Sequence, residues 1–163
     1  MSNTKRKTLS ERLRYRLPSI KLCLVHEGLK ASELYPVKSP EDAEEFLSPL
    51  KFSPDEQFVS LHLNAQNQVI GVHEVSHGTI SSSLVHPREV FKAALLANSH
   101  ALVVCHNHPS GATVTPSSED LATTKQLLKA GRVIGVNVLD HLILSPNQGV
   151  YSIRENFPEL WDH

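Results

Sequence analysis

Apolar and polar residues alternate along several short segments of the chain, and this pattern predicts β-strands. The alternation is clearest in 57–64 (QFVSLHLN), where Val59, Leu61 and Leu63 fall on one face. The segment Ala101–Cys105 is instead wholly apolar, which is typical of a strand buried on both faces in the middle of a sheet. The predicted strands are 57–64, 69–76, Ala101–Cys105, 133–138, 141–145 and 150–154.

Three helices are predicted between these strands. The first begins at Ser39 and Pro40, because serine can cap a helix and proline suits its first position, and it ends by about residue 50. The second begins at Pro87. The third runs from Ser117 to about residue 130, with Gly131 as its left-handed terminator. The chain is therefore predicted to form an α/β or α+β domain, a mixed sheet flanked by helices.

The composition limits the class of protein. The chain has 163 residues, of which 40% are hydrophobic and 20% charged, which suits one packed domain rather than a disordered chain. No apolar run is long enough to cross a membrane, and the polar N-terminal segment lacks the apolar stretch of a signal peptide. Cys23 and Cys105 are too few for a disulfide framework. We therefore expect a cytoplasmic protein with no membrane partner.

The charges are unevenly distributed. Residues 1–16 carry six basic side chains and one acidic side chain, a local charge of +5, which leaves 10 basic and 16 acidic groups, or −6, in the rest. A basic arm of this kind can contact nucleic acid or an acidic partner, although a solvated arm is the commoner case. We predict a basic N-terminal arm at 1–35, one domain at 36–155 and a C-terminal tail at 156–163.

The first of two histidine clusters is 73–77 (HEVSH), which matches H-E-x-x-H. In zinc proteases this motif lies on a helix, which brings its two histidines together. Here β-branched residues and glycines flank the cluster and favour a strand. A strand would separate His73 from His77 by roughly 13 Å, too far for one zinc ion. The match is therefore interpreted as accidental.

The second cluster is His106-Asn107-His108, directly after the predicted central strand. Side chains two residues apart share a face, so His106 and His108 can bind one ion. Pro109 and Gly111 then turn the chain, and Asp120 lies in the first turn of the next helix. Two imidazoles and one carboxylate form a three-ligand zinc site with a fourth position open for water, as in catalytic sites. The spacing of Ser117 and Asp120 also predicts a helix-capping pair, and both interpretations can hold.

Beyond these residues, longer stretches carry a resemblance. They are HNHPSG, PSSED, LLKAGRVIGVNVLDHLIL and the upstream stretch that runs from NQVIGVHEVSHG to HNHPSG. Over roughly 36–155 the chain resembles the RadC-like branch of the JAMM (MPN+/JAB) metalloprotease superfamily. Eight residues separate His108 from Ser117, whereas the family usually has seven. The resemblance implies a JAB/MPN domain of cytidine-deaminase-like architecture. It does not extend to the helix–hairpin–helix region of longer relatives, so a DNA-binding role of that region is not transferred.

The resemblance also implies roles for individual residues. His106, His108 and Asp120 correspond to the zinc ligands, Glu74 to the general acid/base and Ser117 to the stabiliser of the oxyanion. It implies hydrolysis of amide or isopeptide bonds in a protein or peptide by zinc-activated water. From the residues alone, Glu74 would be an ordinary charge on a strand. The branch is associated with DNA repair, but none of these residues reads a nucleic acid.

Other functions remain open. One is a non-catalytic MPN-like scaffold that binds a protein or DNA partner. A zinc nucleobase deaminase is disfavoured, because that chemistry uses H-x-E with P-C-x-x-C and the two cysteines here are isolated. Asp140-His141 matches an Asp-His pair of the family. We favour a structural hydrogen bond between strands for this pair over an outer contact to a ligand histidine.

Overall fold

The computed structural model describes residues 35–78, 85–109 and 114–162. Within them the chain forms four α-helices and five strands, with short 3-10 helices at Ser48–Phe52 and Pro158–Leu160. In chain order the elements are α1 (Pro40–Phe46), β1 (Gln57–Leu63), β2 (Val69–His77), α2 (Pro87–Leu96), β3 (Ala101–Asn107), α3 (Ser118–Ile134), β4 (Asn137–Ser145), β5 (Gly149–Ser152) and α4 (Ile153–Asn156).

The strands form one sheet in the order β2-β1-β3-β4-β5. Only β3 and β4 run parallel, and the other neighbours are antiparallel. The predicted mixed sheet flanked by helices is confirmed. The wholly apolar segment 101–105 forms most of β3, the central strand, which is buried along its whole length.

Helices cover both faces of the sheet, and each face has its own apolar core. One core contains residues of α1 with Val59 and Cys105, and the other contains residues of α2 and α3 with Phe58 and Val104. Cys105, directly before His106, is buried in the first core and therefore lies on the face of the sheet opposite His106. Side chains on β3 alternate between the two faces, so His106 lies on the face that α2 and α3 cover.

The end of α3 differs from the prediction. The helix continues through Gly131 to Ile134 and ends at Gly135, whose φ of 83° is left-handed. Gly131 has a packing role instead, because a Cβ there would lie 2.5 Å from the carbonyl oxygen of Val136. As a result, the predicted strands 133–138 and 141–145 are replaced by the single strand β4, whose first residue is Asn137.

The chain after β5 packs against the domain. The indole nitrogen of Trp161 donates a hydrogen bond to the carbonyl oxygen of Val138 at 2.9 Å, and Leu160 packs on the second core. The predicted basic arm lies outside the described residues except for Tyr35. Among the described helices, none has the length and apolar character that crossing a bilayer requires.

Candidate metal centre

The candidate centre begins with His106 at the end of β3. Its side chain is buried, and its ring stacks on that of Phe58 of β1, with centroids 6.2 Å apart and planes 6° apart. Phe58 is the residue paired with His106 across the two strands. The sheet register therefore fixes the orientation of this imidazole.

His108 and Asp120 approach the same edge of His106. The Nε2 atoms of His106 and His108 are 3.1 Å apart, and Oδ1 of Asp120 lies 3.5 Å from Nε2 of His106. Four tetrahedral zinc bonds of about 2.0–2.1 Å would separate neighbouring ligand atoms by about 3.4 Å. The two separations measured from His106 bracket this value, so His108 and Asp120 can each share with His106 the metal that the resemblance implies. Asp120 is not in the described group whose ligand atoms all lie within 4.8 Å of one another, which is Glu56, His106 and His108.

A capping box orients Asp120. Its Oδ2 atom accepts hydrogen bonds from the backbone nitrogen and the hydroxyl of Ser117, at 2.8 and 2.7 Å. The backbone nitrogen of Asp120 in turn donates to the Ser117 hydroxyl at 3.1 Å. The predicted capping pair is thus confirmed. Because Oδ2 is occupied by the cap, Oδ1 is the oxygen that faces the histidines.

The electrostatics favour neutral imidazole and ionised carboxylate at this centre. Burial lowers the pKa of His106 to about 4. Burial would raise the pKa of Asp120, but the imidazole of His106 and the hydrogen bonds from Ser117 outweigh it and lower that pKa. Metal binding favours these protonation states, because a protonated imidazole has no free nitrogen electron pair and a neutral carboxyl group lacks the negative charge that attracts the ion.

Glu56, which lies directly before β1, is a residue of the centre that the sequence motifs did not indicate. Glu56, His106 and His108 each offer a ligand atom, and these atoms all lie within 4.8 Å of one another. Burial raises the pKa of Glu56, as does the nearby Asp120, while His108 opposes the shift. A partly buried carboxylate beside a metal centre is suited to proton transfer.

Glu74 does not join this group. It pairs with Val59, which pairs with Cys105, and all three lie on the face of the sheet opposite His106. Its side chain is 54% exposed and lies 3.4 Å from the ring of His77. The role that the resemblance implied for Glu74 does not fit this geometry, because the sheet separates its carboxylate from the histidines. The sequence contained a weak signal for Glu56, a carboxylate at the start of the strand that pairs with β3.

The H-E-x-x-H match lies on β2, as predicted from its flanking residues. His77 contacts Asp55 at 3.2 Å and Glu74 at 3.4 Å, and all three side chains are about half exposed. His73 faces His62 instead, with ring centroids 6.4 Å apart. The two histidines of the motif therefore do not share one metal site.

The fold and the cluster together define an α/β domain with a candidate metal centre at the end of its central strand. A family model for the RadC-like JAB domain matches residues 37–158, and the chain belongs to this family. The resemblance inferred from the sequence is confirmed.

Relatives of known name are similar over most of the chain. UPF0758 protein STH371 of Symbiobacterium thermophilum is 49% identical over 146 residues, which cover 83% of this chain and 61% of that protein. A UPF0758 protein of Staphylococcus carnosus is 52% identical over 109 residues, 66% of this chain and 48% of the relative. The chain thus spans about half to three fifths of the length of these relatives. Their names do not describe a reaction.

Proposed function

We propose that this chain is a zinc-dependent hydrolase of the JAMM type that cleaves amide or isopeptide bonds in a protein or peptide. The proposal depends on the position of His106 Nε2, which lies 3.1 Å from His108 Nε2 and 3.5 Å from Asp120 Oδ1. Membership of the RadC-like JAB family supports it, because the JAMM superfamily contains metalloproteases.

In this proposal the two histidines and Asp120 hold the zinc ion. A bound zinc ion supplies Lewis-acid activation of water and of the substrate carbonyl. Glu56, rather than Glu74, takes a proton from the attacking water and passes it to the leaving amine. Its raised pKa brings the carboxylate closer to the range in which it can both accept and return a proton near neutral pH.

Ser117 is the side-chain donor assigned to the oxyanion of the tetrahedral intermediate. Its hydroxyl is exposed and adjacent to Asp120, to whose Oδ2 atom it donates at 2.7 Å. A hydroxyl has one hydrogen, so stabilising an oxyanion requires Ser117 to turn away from Asp120. The backbone nitrogen of Ser117 donates to the same Oδ2 atom at 2.8 Å, so one of the two hydrogen bonds that orient Asp120 does not depend on the hydroxyl.

The experiment is metal analysis of the full chain purified with zinc. Wild type is expected to bind about one zinc ion, and His106→Ala, His108→Ala and Asp120→Ala are expected to lose it. His77→Ala is the matched control, since this histidine also contacts carboxylates but lies on β2. Zinc content that is equal in wild type and all three ligand variants would contradict the proposal.

The second measurement is hydrolysis of a library of amide-linked and lysine isopeptide-linked peptides. The amine that each cleavage releases is the quantity monitored. Activity should disappear on treatment with a chelator and return with zinc. A wild-type protein that binds zinc but cleaves none of these substrates would instead favour the non-catalytic scaffold.

A further inference from the structure

A second buried histidine lies behind His106. His141 of β4 is fully buried, and its Nε2 atom lies 2.9 Å from Nδ1 of His106. This nitrogen of His106 is on the opposite edge of the ring from the Nε2 atom that faces His108 and Asp120. The pair Asp140-His141 therefore contributes more than the structural bond between strands that the sequence favoured, because His141 contacts a candidate metal ligand directly.

The contacts continue from His141 to α3. Nδ1 of His141 lies 2.7 Å from the hydroxyl of Thr124, which is also fully buried. The same hydroxyl donates to the backbone carbonyl oxygen of Asp120 at 2.7 Å. A chain of three short hydrogen bonds thus links the candidate ligand His106 on β3 to the candidate ligand Asp120 on α3.

The number of available hydrogen atoms decides which atom donates in each of these three hydrogen bonds. Two oxygen atoms 2.7 Å apart need a hydrogen between them, and of these two atoms only the hydroxyl of Thr124 carries one, so it donates to the Asp120 carbonyl oxygen. The hydroxyl must then accept from His141 Nδ1. A neutral imidazole carries one N–H, so Nε2 of His141 is an acceptor and receives the hydrogen of His106 Nδ1.

We propose that His141 and Thr124 are positioning residues that hold His106 in the tautomer with hydrogen on Nδ1, which leaves the electron pair of Nε2 directed at the metal centre. This inference rests on the proposed function. It extends that function because it assigns roles to two residues that do not touch the ion. If His141 Nε2 donated to His106 Nδ1 instead, the hydrogen of the neutral His106 ring would lie on Nε2 and block metal ligation.

The test compares zinc affinity in His141→Leu, which removes the acceptor, and in Thr124→Val, which removes the hydroxyl at nearly constant volume. Affinity is measured by competition with a chromophoric chelator. We expect the dissociation constant to rise by about 10- to 100-fold in His141→Leu and in the same direction in Thr124→Val. In His141→Gln, an amide oxygen can accept from His106, and we expect partial recovery.

His62→Leu is the matched control. His62 is also a buried histidine on the same face of the sheet, but it lies between the hydroxyls of Ser60 and Ser99 at 3.1 and 2.9 Å. Its replacement should lower stability and leave zinc affinity within about threefold of wild type, well below the change expected for an outer contact of a ligand histidine. If His62→Leu and His141→Leu weakened zinc binding equally, the loss would reflect stability alone and the inference would be overturned.

Nitrogen-15 NMR of the metal-free protein gives a readout that does not depend on the ion. The chemical shifts of His106 should report hydrogen on Nδ1 in wild type and a mixture of tautomers in His141→Leu and Thr124→Val. Hydrogen on Nε2 in the wild type would overturn the inference. Failure of the wild type to bind zinc would instead overturn the proposed function, and unchanged affinity in both variants would overturn only the role of His141 and Thr124.

Discussion

The side-chain amide of Asn107 holds the backbone on both sides of Glu56. Its oxygen accepts a hydrogen bond from the backbone nitrogen of Gln57 at 2.8 Å, and its nitrogen donates to the carbonyl oxygen of Asp55 at 3.1 Å. Asn107 is fully buried and lies between the two histidines of the candidate centre. The middle residue of the His-Asn-His string therefore fixes the segment that carries the proposed general base.

We expect Asn107→Ala to misplace Glu56 and to lower hydrolysis by about 100-fold, because small displacements of a reacting group are costly. Zinc affinity should change little, since the ring of His106 is fixed independently by Phe58 and His141. Asn64→Ala is the control, because the Asn64 side chain also forms two hydrogen bonds to the backbone, accepting from the nitrogens of Gln66 and Gln68 in the turn between β1 and β2. An equal loss of activity in both variants would mean that Asn107 acts only through stability.

Replacement of the two candidate carboxylates separates Glu56 from Glu74. Glu56→Gln should lower the hydrolysis rate by about 10²- to 10⁴-fold, because the amide cannot accept a proton. Glu74→Gln should retain activity, because its carboxylate lies on the other face of the sheet and contacts His77. The measurement is the rate of peptide cleavage by each zinc-loaded protein. The reverse result would restore the role that the resemblance implied for Glu74.

The residues that could be predicted are those joined by short stretches of chain. His106 and His108 are two positions apart on one strand, and Asp120 follows in the first turn of the next helix. Local periodicity and capping rules are enough to bring such residues together. Glu56 is different, because its place beside His106 depends on the pairing of β1 with β3. That register joins residues about 50 positions apart, as in the 50-residue separation of Gln57 and Asn107. Local patterns in a single sequence do not indicate which distant strands pair or in which register.

The end of α3 was mispredicted for a related reason. Gly131 and Gly135 are both near the end of the helical pattern, and a local rule allows either to terminate it. The choice depends on tertiary contacts, since a Cβ on Gly131 would also lie 3.2 Å from the ring of Phe91. Gly131 is therefore required for close packing inside the helix, and Gly135 supplies the left-handed terminator.

Two capping boxes allow the role of Ser117 to be separated from helix stability. Ser117 with Asp120 caps α3, and Ser39 with Asp42 caps α1 in the same way. Ser117→Ala and Ser39→Ala should each lower the free energy of unfolding by about 1 kcal/mol. Only Ser117→Ala should also weaken zinc binding, by about 10-fold, because Asp120 loses a hydrogen bond that orients it. Urea unfolding and chelator competition measure the two effects, and equal zinc affinity in both variants would contradict the expectation.

The stability of the metal-free protein should fall in acid, in part through His62. Burial and, less strongly, the nearby His73 lower the pKa of His62 in the folded protein to about 4, whereas the unfolded chain has the ordinary value of 6.5. Above pH 6.5 the imidazole is neutral in both states and contributes no proton-linked term. Between pH 6.5 and 4 only the unfolded state binds the proton, so the free energy of unfolding decreases as the pH falls. At pH 5 the loss from this group is about 2 kcal/mol.

His62→Asn isolates this contribution from those of His106 and His141, whose pKa values burial also lowers. Urea unfolding is measured in chelator at pH 7.5 and at pH 5 for wild type and variant. The variant should be less stable at pH 7.5, because the hydrogen bonds to Ser60 and Ser99 are altered. Its further loss at pH 5 should be smaller than that of wild type by about 2 kcal/mol. If the two proteins lost the same free energy between these pH values, the buried imidazole of His62 would not be a source of the acid sensitivity.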